Sequence, residues 1–113
     1  MTAPPKLSPK NDKYEFTGET TKCAGVTLFR IRAKKSFGLV IAGALGGFIA
    51  AESNLAVYGD AWVSGDAWVY GNAQVYGDAQ VSGNARVYGD AWVYGNAWVS
   101  GNAQVSGNAQ VSG

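Results

Sequence analysis

Valine recurs at every sixth position from Val57 to Val111, and between consecutive valines stand Gly, then Asp or Asn, then Ala, without exception. That period excludes an α-helix, whose faces repeat near 3.6 residues, and it is too long for one uninterrupted strand. Ala and Val lie two apart, as in Ala61 and Val63, so on a strand both point to one side and the residue between them points to the other. Gly adopts backbone angles that side chains resist, and Asp or Asn tolerates a turn while bonding its own backbone. Each hexad therefore reads as a short strand and a corner, which is the signature of a parallel β-helix.

The residue after each valine sets the number of sides. In order they are Tyr58, Ser64, Tyr70, Tyr76, Ser82, Tyr88, Tyr94, Ser100, Ser106 and Ser112. Tyr-Ser-Tyr recurs every third hexad, with one departure at Ser106, so a coil has 18 residues and three faces. The first face stacks Tyr58, Tyr76 and Tyr94 beside Gln74, Trp92 and Gln110. The second stacks Ser64, Ser82 and Ser100 beside Trp62, Gln80 and Trp98. The third brings Trp68, Tyr70, Arg86 and Tyr88 together. With coils about 4.8 Å apart, the repeats make three coils about 14 Å tall. Their Val and Ala core is too narrow for a ligand, so anything bound lies on a face, at a corner or at an end.

Three segments follow: a flexible tail (1–13), an N-terminal cap with a degenerate first coil (14–56), and the hexad β-helix (57–113). The tail has three prolines and no apolar run behind its lysines, so it does not read as a secretory signal. "YEFTGETT" and "GVTLFRIRA" alternate like strands around Thr20–Ala24, a hairpin. Running the hexads backward puts Leu45, Gly47 and Ile49, then Ser53, Asn54 and Leu55, at repeat positions. The apolar stretch Gly38–Ala51 is shorter than the roughly 20 residues a membrane span needs, so no membrane role is expected.

Composition removes several chemistries. There is no histidine, hence neither the commonest general base nor an imidazole zinc site. Cys23 is the single cysteine and reads as a small apolar residue. The glycines at Gly43, Gly46 and Gly47 lack the Lys-Ser/Thr of a phosphate loop. The Asp and Asn corners alternate in a way that suits turns and amide ladders better than paired catalytic carboxylates. We expect no catalytic residues, no metal and no cofactor.

Binding residues are easier to nominate. Trp68, Tyr70, Arg86 and Tyr88 form the leading candidate face, because Trp, Tyr and Arg dominate interface energetics. Tyr58, Tyr76, Trp92 and Tyr94 form a second. Residues 1–56 carry eight Lys or Arg against four acids, and 57–113 carry Arg86 against four Asp. Arg30, Arg32, Lys34 and Lys35 cluster as a basic cap, a candidate for a phosphate or an acidic partner, although the charge is too small to argue for nucleic acid. The last coil is left open, so Val105 and Val111 are expected to mediate self-association.

Ala-x-Val-x-Gly-(Asp/Asn) resembles the hexapeptide-repeat family of left-handed β-helices, which implies the left hand. That family includes acyltransferases that use a His base and γ-class carbonic anhydrases with three His on zinc. This chain supplies neither set. "YEFTGET" (Tyr14–Thr20), "RIRA" (Arg30–Ala33) and "AGALGGFIAAESNL" (Ala42–Leu55) also resemble the N-terminal signature of small phage and prophage hexapeptide proteins. Ala44, Phe48, Ala50 and Ala51 depart from that signature's acid, Trp and charged residues, which makes the segment more apolar. The resemblance implies a viral accessory protein in the bacterial cytoplasm. The reading is an all-β, non-enzymatic, self-associating protein that inhibits a bacterial host protein or defence complex. The rivals are a scaffold polymerising end to end and a degenerate acyltransferase relative.

Overall fold

The structure, a computed structural model, describes residues 5–23 and 25–112, so Ala24 in the expected hairpin turn and the first four residues of the tail lie outside it. It is a β-solenoid of stacked three-sided coils carrying a hairpin cap. Strands β1 (Tyr14–Cys23) and β2 (Val26–Ala33) pair antiparallel, and β2 pairs antiparallel with β3 (Leu45–Ile49). The coils supply nine short strands: β4 (Trp62–Val63), β5 (Trp68–Val69), β6 (Gln74–Val75), β7 (Gln80–Val81), β8 (Arg86–Val87), β9 (Trp92–Tyr94), β10 (Trp98–Val99), β11 (Gln104–Val105) and β12 (Gln110–Ser112). They stack in parallel as β4-β7-β10, β6-β9-β12 and β5-β8-β11, the last continuing through β3 and β2 to β1.

The residue pattern accounts for each level. Val63, Val69, Val75, Val81, Val87 and Val93 are completely buried, and the alanines from Ala61 to Ala91 nearly so. At each corner from Ser64 onward the residue after Val accepts from the Ala three residues on, for example Ala67 N to Ser64 O at 3.3 Å. The glycine between them has positive φ, 67° at Gly83, where a Cβ would lie 2.9 Å from the backbone N of Gly101 in the next coil. Only glycine satisfies both the angle and the approach. Coils are joined by N–H groups that donate to the carbonyls of the coil below, such as Gln80 N to Ala97 O at 2.9 Å.

The first coil departs from the expected register. Trp62 pairs with Gln80 and Trp68 with Arg86, steps of 18, whereas Ile49 pairs with Val69 and Leu55 with Val75, steps of 20. Ala56 donates to Val75 O and Asp60 to Gly77 O, so Val57 and Tyr58 are an insertion between two rungs. Leu55, completely buried, takes the inward place expected for Val57. Tyr58 consequently stands out of the tyrosine ladder, 75 % exposed.

Asn54 explains how the irregular coil still joins the regular one. It occupies the place of Gln74 one coil up, but its own N–H turns back to Ala51 O in the short 3-10 turn Glu52–Asn54. Its buried carboxamide substitutes for the missing rung: Nδ2 donates to Ala73 O at 2.9 Å and Gly71 O at 3.3 Å, while Oδ1 accepts from Ala50 and Ala51.

The expected flexible tail is also corrected. Leu7 packs on the core, and Ser8 N and Asn11 Nδ2 both donate to Glu52 Oε2 at 2.7 and 3.0 Å. Lys13 is buried, its Nζ donating to Ala56 O at 2.9 Å with the Phe37 ring 5.0 Å away. Desolvation pushes its pKa down to about 8. Tyr14 donates to Leu55 O at 2.7 Å. The polar groups of residues 8–14 are thus matched to the Glu52 carboxylate and to the backbone carbonyls of Leu55 and Ala56, which a composition argument does not reveal.

Candidate functional site

The strand stacking brings the leading face together. Arg86 lies over Trp68, 4.0 Å from guanidinium carbon to ring centre, and Tyr70 stacks on Tyr88 at 5.2 Å with planes 7° apart. Tyr88 Oη sits 3.4 Å from Gln104 Oε1 and Cys23 Sγ 3.5 Å from Tyr70 Oη. Burial first, then the thiol, pushes the Tyr70 phenol up to about 12. All four side chains are half-buried and hold one another in place, so the face is a fixed surface with a cationic centre.

One corner further on, Tyr76 stacks on Tyr94 at 5.2 Å and meets Trp92 edge-on at 6.2 Å. Trp92 is exposed. The second candidate set is therefore assembled, less Tyr58. A groove of about 260 Å³ opens above it, lined by Leu55, Ala56, Val57, Gln74 and Tyr76, where the insertion lifts the chain off the coil.

The remaining face divides its tryptophans. Trp62, expected on the outside, is buried beneath the cap, edge-on to Phe37 at 5.4 Å and Tyr14 at 6.5 Å. Trp98 two coils below is exposed.

The basic cap does not form a free cationic patch. Arg30 packs on the Phe48 ring at 4.4 Å, donates to Gly46 O and pairs with Asp66 at 3.3 Å. Its Nε lies 3.0 Å from Glu19 Oε1 but off the line of its N–H, so that contact is ionic without being a hydrogen bond. Arg32 grips Glu15 Oε2 with Nε and Nη2 at 3.0 and 2.7 Å. Lys35 pairs with Asp12 at 3.1 Å, which holds that carboxyl below its usual range, and Lys34 donates to Asn11 O. Arg30, Arg32 and Lys35 each have an acidic partner and Lys34 a backbone carbonyl, so the cap is not a patch of unpaired cations.

The lower edge is uncovered by any described residue. Val105 is buried and Val111 half-buried, while Ala103 and Ala109 are exposed. The N–H groups that donate downward in the coil above, from Gln80 to Trp92, have counterparts from Trp98 to Gln110 for which no described residue supplies an acceptor. Among the described residues no group of His, Cys, Asp or Glu is arranged to hold a metal. No described helix is long and apolar enough to cross a membrane.

Sequence reasoning missed Leu39 and Ile41, and Leu45, expected at a repeat position of the first coil, is instead exposed; all three protrude beside Trp62. Their signal was the apolar bias of Gly38–Ala51, read only as cap. A family model described as the YdcK beta solenoid repeat matches residues 79–95 and 91–107. The chain carries β-solenoid repeats. The match lies on the regular coils, where the 18-residue step is unbroken, and leaves out the inserted coil and the cap. No curated protein matches the chain.

Proposed function

We propose that this chain is a non-catalytic binding protein of phage or prophage type that inhibits a bacterial host protein or defence complex in the cytoplasm by direct contact. One observation carries the binding reading: Trp68 with Arg86, Tyr70 with Tyr88, and Trp92 with Tyr76 and Tyr94 make two ordered aromatic clusters on successive faces of the solenoid. Side chains already stacked lose little freedom on binding, and these residue types supply most hot spots. The choice of a host target follows from the N-terminal signature at Tyr14–Thr20 and Ala42–Leu55.

Affinity capture from bacterial lysate, comparing the intact chain with Trp68→Ala/Arg86→Glu, tests the reading. A host protein retained by the former and lost from the latter is the expected result. Equal capture by both removes the face from the mechanism. Thermal stabilisation by coenzyme A or a sugar nucleotide instead favours the acyltransferase relative.

A further inference from the structure

The face built on β4, β7 and β10 carries a protrusion and a hollow of matching character. Trp98 is 69 % exposed at its lower rung. At its upper rung a groove of about 320 Å³ is lined by Leu39, Val40, Ile41, Leu45, Trp62 and Gln80. Three of these, Leu39 at 85 %, Ile41 at 73 % and Leu45 at 57 %, hold apolar side chains in solvent. Large exposed apolar patches mark contact surfaces.

Position identifies the occupant. Trp62, Gln80 and Trp98 stand in one column, so Gln80 is equidistant, about 4.8 Å, from the rungs above and below. A two-fold axis lying in the face along the strands at the level of Gln80 sets each copy's Trp98 opposite the other's groove. We propose that this face joins two copies of the chain with their solenoid axes antiparallel, each inserting Trp98 into the other's groove. A two-fold contact must be self-complementary, and a knob and a hole at equal heights on one face satisfy that condition. None of Trp62, Ser64, Gln80, Ser82, Trp98, Ser100 or residues 38–45 is ionisable, so the side chains that meet at the centre of the contact carry no charge, with Asp60 beside Gly38 at its margin. The contact leaves the Trp68–Arg86 surface free.

Sedimentation equilibrium over a concentration series tests this with Trp98→Asp and Ile41→Lys, both at exposed positions, and Leu39→Lys as a second groove variant; circular dichroism verifies folding. The intact chain is expected to dimerise, and each variant alone to weaken the dimer at least about thirtyfold, the hot-spot scale. Mixing Trp98→Asp with Ile41→Lys is expected to recover dimer, because the new carboxylate meets the new ammonium across one contact while the other keeps its original partners. An intact chain that stays monomeric overturns the proposal. So does a dimer that survives both substitutions but is lost with Val111→Lys, or a mixture that fails to recover.

Discussion

Replacing Asn54 with Ala removes one side chain and leaves several backbone groups without partners. Ala51 N–H loses its acceptor at 2.9 Å, Ala73 C=O its donor at 2.9 Å and Gly71 C=O a longer contact at 3.3 Å, whereas Ala50 N–H keeps Val69 O at 3.2 Å. Two groups, one buried and one part-buried, are therefore orphaned and a third is weakened. At about 1–3 kcal/mol for each orphan, the loss is about 3–4 kcal/mol. In urea, with m near 2 kcal/mol per molar, the midpoint falls by about 1.5–2 M. Asn54→Asp keeps the acceptor for Ala50 and Ala51 but turns a carboxylate oxygen toward Ala73 O, and it is expected to lose at least as much at pH 7. An Asn54→Ala protein within 1 kcal/mol of the original would show that the carboxamide does not stand in for the missing rung.

Other perturbations probe separate levels. Lys13 has a folded pKa of about 8 against an ordinary 10.5. Between those values the unfolded chain holds a proton the folded chain has released, so stability rises with pH across that window, by on the order of 2 kcal/mol. Chemical melts at pH 8 and pH 10 measure the slope, which Lys13→Met removes. Gly47→Ala puts a Cβ 2.6 Å from Ala67 O and 2.8 Å from Val63 Cγ1, and thermal unfolding should report a loss of about 1–3 kcal/mol. Val81→Ala empties the middle of a core whose neighbours are tied by backbone rungs and cannot collapse, costing about 2 kcal/mol in the same assay. A loss below half of that would mean that the coils close around the cavity.

The sequence and the structure agree wherever a rule repeats. Ala and Val at fixed spacing, glycine before Asp or Asn, and Tyr-Ser-Tyr every third hexad specify the faces, and Trp68, Arg86, Tyr70 and Tyr88 meet as their period requires. The first coil escaped because Val57–Trp62 is spelled like any other hexad, while Leu55 occupies the inward place and Asn54 completes the rung. Nothing local distinguishes an inserted Val57-Tyr58 from a repeat. The basic cap was misjudged for a different reason. Arg32 and Glu15 are Cα partners on adjacent strands, and Glu19 reaches Arg30 across a bulge at Gly18, where φ is 97°. Those pairings depend on register and on the irregular step between Phe16 and Thr20. The groove at Leu39, Ile41 and Leu45 depends on how a loop lies over Trp62, which no periodicity encodes.

The central claim is that outer faces do the binding, and that different faces have different partners. Photo-cross-linking inside bacteria tests it most directly, with a photoreactive aromatic residue placed in turn at Tyr88 and at Gln80. Adducts with a host protein from position 88 and adducts with a second copy of this chain from position 80 are expected. No host adduct from position 88, together with host adducts from position 80, would contradict it.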